Sequence, residues 1–226
     1  MPATAIHDLP DLRDRSRVFR DRAHAGEALA AMLESFRGSG AILLAIPAGG
    51  VPVAAAIARR LDLPLDLAVV SKALLPWTTE AGFGAVAFDG AAWVDEDAVR
   101  AFGLSREAVD RSVRAAREKV ARRVERLRGA KPMPALADRA AILVDDGIAA
   151  GSTMRAAIEA LRRLGAKRVV VAVPTALGRS ARAIASLADD VFVANLRHGA
   201  RFAVADAYEE WSDVSEDEAA ALIGCG

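Results

Sequence analysis

Short continuous apolar runs recur along the chain at residues 41–46, 65–70, 141–144, 168–173 and 190–195. They do not alternate with polar residues, which is the pattern of strands buried on both faces of a parallel sheet. Between them, apolar positions fall at helical spacing. Ala25, Leu29, Met32, Leu33 and Phe36 predict a helix within 19–36 that ends at Gly38 or Gly40. Residues 51–61 predict a short alanine-rich helix. Met154, Ala157, Ile158, Leu161 and Leu164 predict another, stopped by Gly165, and 179–187 a further one. Residues 41–70 thus form a β-α-β unit, expected to cross over right-handed into a parallel pair.

The remaining stretches have other patterns. Residues 83–88 followed by Asp89-Gly90 predict a small hairpin, since Asp-Gly suits a tight two-residue turn. Residues 105–128 read as one long amphipathic helix, opened by Ser105 and Glu107 and crowded with arginine at its far end. Residues 1–17, broken by Pro2 and Pro10, predict an arm or loose lead-in, and 215–223 a short capped helix. Strands alternating with helices place the chain among α/β proteins with an open, mostly parallel twisted sheet flanked by helices.

Composition narrows the class. The 226 residues suit one α/β domain with elaborations, and 53% hydrophobic residues rule out a disordered chain. A formal net charge of zero argues against broad electrostatic binding to nucleic acid or to a membrane surface. On the same ground the arginine-rich face of 105–128 is expected to be solvated surface. The lone cysteine, Cys225, excludes a disulfide framework and points to a reducing compartment. No apolar stretch approaches the ~20 residues of a membrane span, and the start of the chain lacks the order of a signal peptide. A cytoplasmic protein is expected.

Candidate chemistry collects where strands end, the place ligands bind in open α/β sheets. The run Ala141-Ile142-Leu143-Val144 leads directly into Asp145 and Asp146, then into the small-residue loop Gly147-Ile148-Ala149-Ala150-Gly151 and the hydroxyls of Ser152 and Thr153. A helix start offers unpaired N–H groups and a positive dipole end to a phosphate. The two carboxylates can accept hydrogen bonds from sugar hydroxyls. The loop matches neither the Gly-x-x-x-x-Gly-Lys nor the Gly-x-Gly-x-x-Gly pattern, so nucleoside triphosphate and dinucleotide readings gain nothing from it. Two more pieces fall after strands: the Pro47-Ala48-Gly49-Gly50 turn, and Lys72, one of four lysines among thirty basic residues. His7, His24 and His198 are isolated in sequence and are expected to be structural or surface residues.

The segment Val144-Asp145-Asp146-Gly147-Ile148-Ala149-Ala150-Gly151-Ser152-Thr153 resembles the phosphoribosyl-pyrophosphate (PRPP) signature of the type I phosphoribosyltransferases. Phe19-Arg20-Asp21-Arg22, Ala25-Gly26, Pro47-Ala48-Gly49-Gly50-Val51-Pro52-Val53 and Phe202-Ala203-Val204 are similar to a bacterial and archaeal subgroup with no agreed acceptor. The resemblance implies one domain over 18–226, with 105–128 as a helical insertion and a small hood at about 196–226.

It also implies roles. Asp145 and Asp146 would bind the ribose 2- and 3-hydroxyls, with Gly147 leading into the loop. Ala149, Ala150, Gly151, Ser152 and Thr153 would bind the 5-phosphate. Ala48, Gly49 and Gly50 would hold pyrophosphate, Lys72 would reach it, and residues 73–85 would be the mobile loop that closes over the reaction. Mg2+ would enter with PRPP, with Asp145 and Asp146 as its possible protein contacts, and a homodimer is expected by analogy. Many members of the subgroup have arginine where this chain has Ala48. Its absence removes a charged hydrogen bond worth ~1.5–3 kcal/mol and keeps open a second reading, a catalytically weakened PRPP- or nucleotide-binding regulator. For the acceptor, Trp77, Phe202, Tyr208 and Trp211 are either stacking platforms or packing residues. Glu80 either orients an acceptor or is a solvated loop acid.

Overall fold

The computed structural model describes residues 5–79, 81–129 and 131–224; Glu80 and Cys225 lie outside them. The strands in chain order are β1 (Ile6–Asp8), β2 (Ile42–Ala45), β3 (Leu65–Leu67), β4 (Val70–Leu74), β5 (Gly82–Ala87), β6 (Ala92–Val94), β7 (Ala140–Val144), β8 (Arg168–Leu177) and β9 (Asp190–Arg197). The helices are α1 (Arg22–Met32), α2 (Gly50–Leu61), α3 (Glu96–Ala101), α4 (Arg106–Arg128), α5 (Ser152–Arg163), α6 (Gly178–Ala185) and α7 (Glu216–Gly224).

The main sheet is six-stranded in the order β1-β9-β8-β7-β2-β3, and every pair in it is parallel. The apolar runs divide by the two-residue period of a strand. Leu43, Ala45, Ile142, Val144, Val170 and Ala172 pack on one face in a core shared with α1 and α2. Ile42, Leu44, Ala141, Leu143, Val169 and Val171 pack on the other with α5 and α6. Burial on both faces is why these runs carry no polar alternation. From β2 the chain winds outward to β3, and from β7 it winds the opposite way to β8 and β9. The adjacent β2–β7 pair is therefore the switch point of the sheet, where the loops leaving neighbouring strands part and open a crevice.

A separate antiparallel sheet, β4-β5-β6, carries the expected hairpin, with Asp89 and Gly90 in its turn. The long helix α4 lies across β4 and β5, N-capped by the Ser105 hydroxyl, which accepts from Ala108 N–H.

Several sequence expectations are corrected. Residues 65–70, expected as one strand, divide between the two sheets: the Ala68 N–H still bonds to Ala45 O, and from Val70 the chain pairs with β5. The apolar run continues across the break, so periodicity could not reveal it. The segment 73–85, expected as a loop, is strand at both ends, leaving residues 75–81 between β4 and β5. Ile6–Asp8, expected in a loose lead-in, adds a parallel edge strand to β9, with His7 stacked on Phe192. The strand expected to stop at Val173 runs on to Leu177. Pro174 has no N–H to give, and pairing resumes at Thr175 opposite Asn195. The short helix α3 was not expected.

Candidate functional site

A cleft of about 590 Å3 opens over the β2–β7 switch point. Its floor is the segment expected from sequence. β7 ends at Val144, and Asp145, Asp146, Gly147, Ile148, Ala149, Ala150, Gly151, Ser152 and Thr153 all line the cavity. The loop is held from below: Ile148 bridges to the end of β8, donating to Thr175 O (2.9 Å) and accepting from Leu177 N–H (3.0 Å). The Ser180 hydroxyl of α6 donates to Ala149 O. Gly151, at φ 88°, takes the left-handed conformation that turns the chain into α5. The first helical bond from there is Arg155 N–H to Gly151 O (2.9 Å), so the amides just before it face the cleft mouth without an intrahelical acceptor.

The acid pair is fixed in a way the sequence did not disclose. The Arg22 guanidinium, on the first turn of α1, donates to Asp146 Oδ2 (3.0 Å) and to Ser212 O (2.8 Å). It stacks on the Trp211 ring, 3.8 Å from its centroid. The Tyr208 hydroxyl donates to Asp146 O (2.7 Å). Burial, and then the nearby Asp146 charge, hold the Tyr208 phenol far above its usual range, so it stays a neutral donor. Burial, and then repulsion from Asp146, push the Asp145 carboxyl well above the ordinary carboxylate range. Burial raises Asp146 as well, opposed by the Arg22 charge and hydrogen bond. Two desolvated acids side by side hold a site for a ligand that brings hydroxyl donors or a cation.

The Pro47–Gly50 turn reaches the cleft at Pro47, and the Pro47–Ala48 peptide is cis. A side-chain carbon on Gly49 would fall 2.0 Å from Asp146 Oδ2, and one on Gly50 2.6 Å from Val144 O. These glycines make room for the acid pair and for the end of β7. Ala48 is half-buried and packs against the core, leaving the turn without a charge.

Opposite the floor, Lys72 projects from within β4, not from a strand end as expected, and contributes favourable charge to both acids. Thr79 and Ala81 of the 75–81 loop also line the cavity. So do Lys119 and Arg123 of α4, which corrects the expectation of a wholly solvated basic face. Among the aromatics, Trp211 lines the cleft and Tyr208 sits beneath Arg22, whereas Trp77 is 63% exposed and meets Phe102 edge-on outside it. His7 and His198 pair with Asp190 and Asp14, away from the cleft, and the His24 ring accepts from Arg20 N–H. Among the described residues no helix is long and apolar enough to cross a membrane.

Arg22, Lys119 and Arg123 were the residues that sequence reasoning missed as parts of the site. The Arg22–Asp146 bond spans 124 residues, and no local spacing encodes it. The helical period does place Lys119 and Arg123 on one face of α4, four residues apart, but not that this face meets a cleft.

Comparison with known proteins agrees with this geometry. The phosphoribosyl transferase domain family matches residues 20–209. Proteins from two strains of Mycobacterium tuberculosis, provisionally named phosphoribosyl transferases, are 38% identical over 207 residues. The match covers 92% of this chain, which spans about half (46%) of their length. The crystal structure of a protein from Thermus thermophilus superposes with a TM-score of 0.73 at 33% identity, covering 91% of this chain and 97% of that one. With the family match running from Arg20 to Glu209, through the acid pair, the loop and the Tyr208 buttress, the chain belongs to the phosphoribosyl transferase domain family.

Proposed function

We propose that the protein transfers the 5-phosphoribosyl group of PRPP to a small nucleophilic acceptor, a base or a related compound, and releases pyrophosphate. The observation that carries this reading is the position of the acid pair and the α5 loop at the switch point, facing Lys72 across one cleft. In this reading the amides of residues 149–153, with the Ser152 and Thr153 hydroxyls, take the 5-phosphate at the positive end of α5. Asp145 and Asp146 accept the ribose 2- and 3-hydroxyls, and Arg22 keeps Asp146 from turning away. Lys72, with the backbone of Ala48 and Gly49 just beyond Pro47, would meet the pyrophosphate, while the Gly50 N–H is already given to Ile46 O (3.0 Å).

In the reaction, the acceptor's lone pair forms a bond to the anomeric carbon. The carbon–oxygen bond to pyrophosphate breaks with its electron pair leaving on pyrophosphate, and a proton carried by the acceptor atom is shed to solvent. Negative charge grows on the leaving oxygens, where Lys72 stands, and positive charge grows on the sugar ring above the acid pair. Residues 75–81, joined to the cleft through Thr79 and Ala81, would exclude water on closing and so protect the sugar from hydrolysis.

Among the described residues there is no cluster of three or more side chains able to hold a metal. Two adjacent carboxylates do fit Mg2+, which commonly takes one or two carboxylates and completes its shell with phosphate oxygens and water. Asp145 and Asp146 would be its protein contacts, and the ion would supply neutralisation of the leaving pyrophosphate. By family resemblance the protein would act as a cytoplasmic homodimer, which light scattering of the purified chain checks for the oligomer.

Pyrophosphate release from PRPP and Mg2+, measured against a panel of purine, pyrimidine and other small nitrogen nucleophiles, tests the activity. Acceptor-dependent release is expected. PRPP binding with no release across the panel would leave the regulator reading, which the uncharged Pro47–Gly50 turn favours.

A further inference from the structure

Helix α4 spans the cleft and is fastened on both sides of it. Toward its start the Ser112 hydroxyl donates to Leu74 O (2.7 Å), where β4 gives way to the 75–81 loop. Toward its end Arg123 donates to Glu216 of α7 (2.7 Å), and Arg126 pairs with Glu216 (3.3 Å) and Asp217 (2.7 Å). Ala116 and Val120 are buried beneath the helix and fix its rotation. That rotation turns Lys119 and Arg123, one turn apart on the same face, into the cleft.

The two cations differ. Arg123 is 13% exposed, and its charge is met by Glu216. Lys119 is exposed, and among the described residues it forms no ion pair and no hydrogen bond. A lysine on the outer face of a helix would be unremarkable in that state; this one lines a cleft, between the Ser112 contact and the Arg123 and Arg126 pairs. On the floor opposite, the α5 amides can take a phosphate, but the Pro47–Gly50 turn presents no charged side chain. A substrate with phosphate groups at both ends therefore has one end provided for by the α5 loop. For the other end the cleft offers the compact ammonium charges of Lys72 and Lys119.

We propose that Lys119 joins Lys72 to form a second anion subsite that takes the diphosphate end of the substrate. Helix α4 then belongs to the binding machinery and is not an external brace. This rests on the reading of the α5 loop as the 5-phosphate cradle.

The test is calorimetric titration of pyrophosphate with Mg2+, and separately of ribose 5-phosphate, into the wild-type chain, Lys119→Gln and Lys119→Arg. In Lys119→Gln, pyrophosphate binding is expected to weaken about tenfold or more, the scale of a lost charge-assisted hydrogen bond, with ribose 5-phosphate affinity unchanged. Lys119→Arg should recover most of the pyrophosphate affinity. Unchanged pyrophosphate affinity in Lys119→Gln, with ribose 5-phosphate still bound, would overturn the role of Lys119 and leave the proposed function standing. Equal loss of both ligands would also overturn it, as a general disturbance of the cleft. A wild-type chain that binds no ribose 5-phosphate would overturn this inference and the proposed function together.

Discussion

Asp146 is held at both ends: its carboxylate by Arg22 and its carbonyl by the Tyr208 hydroxyl. Arg22 and Asp146 expose only 10% and 16% of their side chains, so removing one partner strands the other's charge away from water. Arg22→Ala should destabilise the fold by about 3 kcal/mol, measurable by urea denaturation; a loss within experimental error would mean that water reaches the pair freely. Asp145 behaves in the opposite sense. Because burial and the neighbouring charge raise its pKa above the ordinary 3.8, the folded chain holds that proton more tightly than the unfolded chain does. Its contribution to stability is fullest in acid and is lost as pH rises through the raised folded value. Asp145→Asn should therefore raise the ligand-free Tm at about pH 7.5, with a gain that shrinks toward about pH 4. A gain independent of pH would show that the carboxyl is not perturbed. Gly50 tests the crowding at the strand end: an alanine there meets the Val144 carbonyl at 2.6 Å. With backbone as the obstacle, Gly50→Ala should cost about 1–3 kcal/mol.

Among the elements, legibility followed the range of the interaction. The segment from Ala140–Val144 through Ser152–Arg163 was readable because strand, acids, loop and helix are consecutive, and each leaves a local mark in residue type or period. The break at residues 68–69 was not readable, because the chain changes sheets inside an apolar run. Ile6–Asp8 was missed because a three-residue edge strand takes its identity from its partner β9, far along the chain. Lys72 does line the cleft, but it projects from within β4 and not from the strand end where the sequence pattern set it. The placement of α4 is likewise a tertiary fact, fixed by Ser112 at one end and by Arg123 and Arg126 at the other. A double-mutant cycle on Arg123→Ala and Glu216→Ala should give a coupling of about 1 kcal/mol, as expected for a partly exposed pair. Additive effects would mean that α4 and α7 are not joined by this pair.

At the scale of the whole molecule, two sheets with different jobs enclose one cleft. The parallel sheet supplies a floor at its switch point, where the carboxyl ends of β2 and β7 part. The small antiparallel sheet brings Lys72 and the 75–81 loop to the opposite side, while α4 and Trp211 complete the walls. In the proposed function the floor is a ribose 5-phosphate cradle whose acid pair recognises the sugar and whose α5 loop recognises the phosphate. The most direct measurement is calorimetric titration of ribose 5-phosphate into the wild-type chain and into Asp145→Asn, which leaves the Arg22–Asp146 pair in place, with the ligand-free Tm recorded for both. The wild type should bind, and the variant should bind more weakly by about tenfold or more, the scale of a lost hydrogen bond to a charged acceptor. The variant should stay folded with a Tm equal to or above that of the wild type, since two crowded acids are relieved. Binding of equal affinity in both proteins would contradict the proposed cradle.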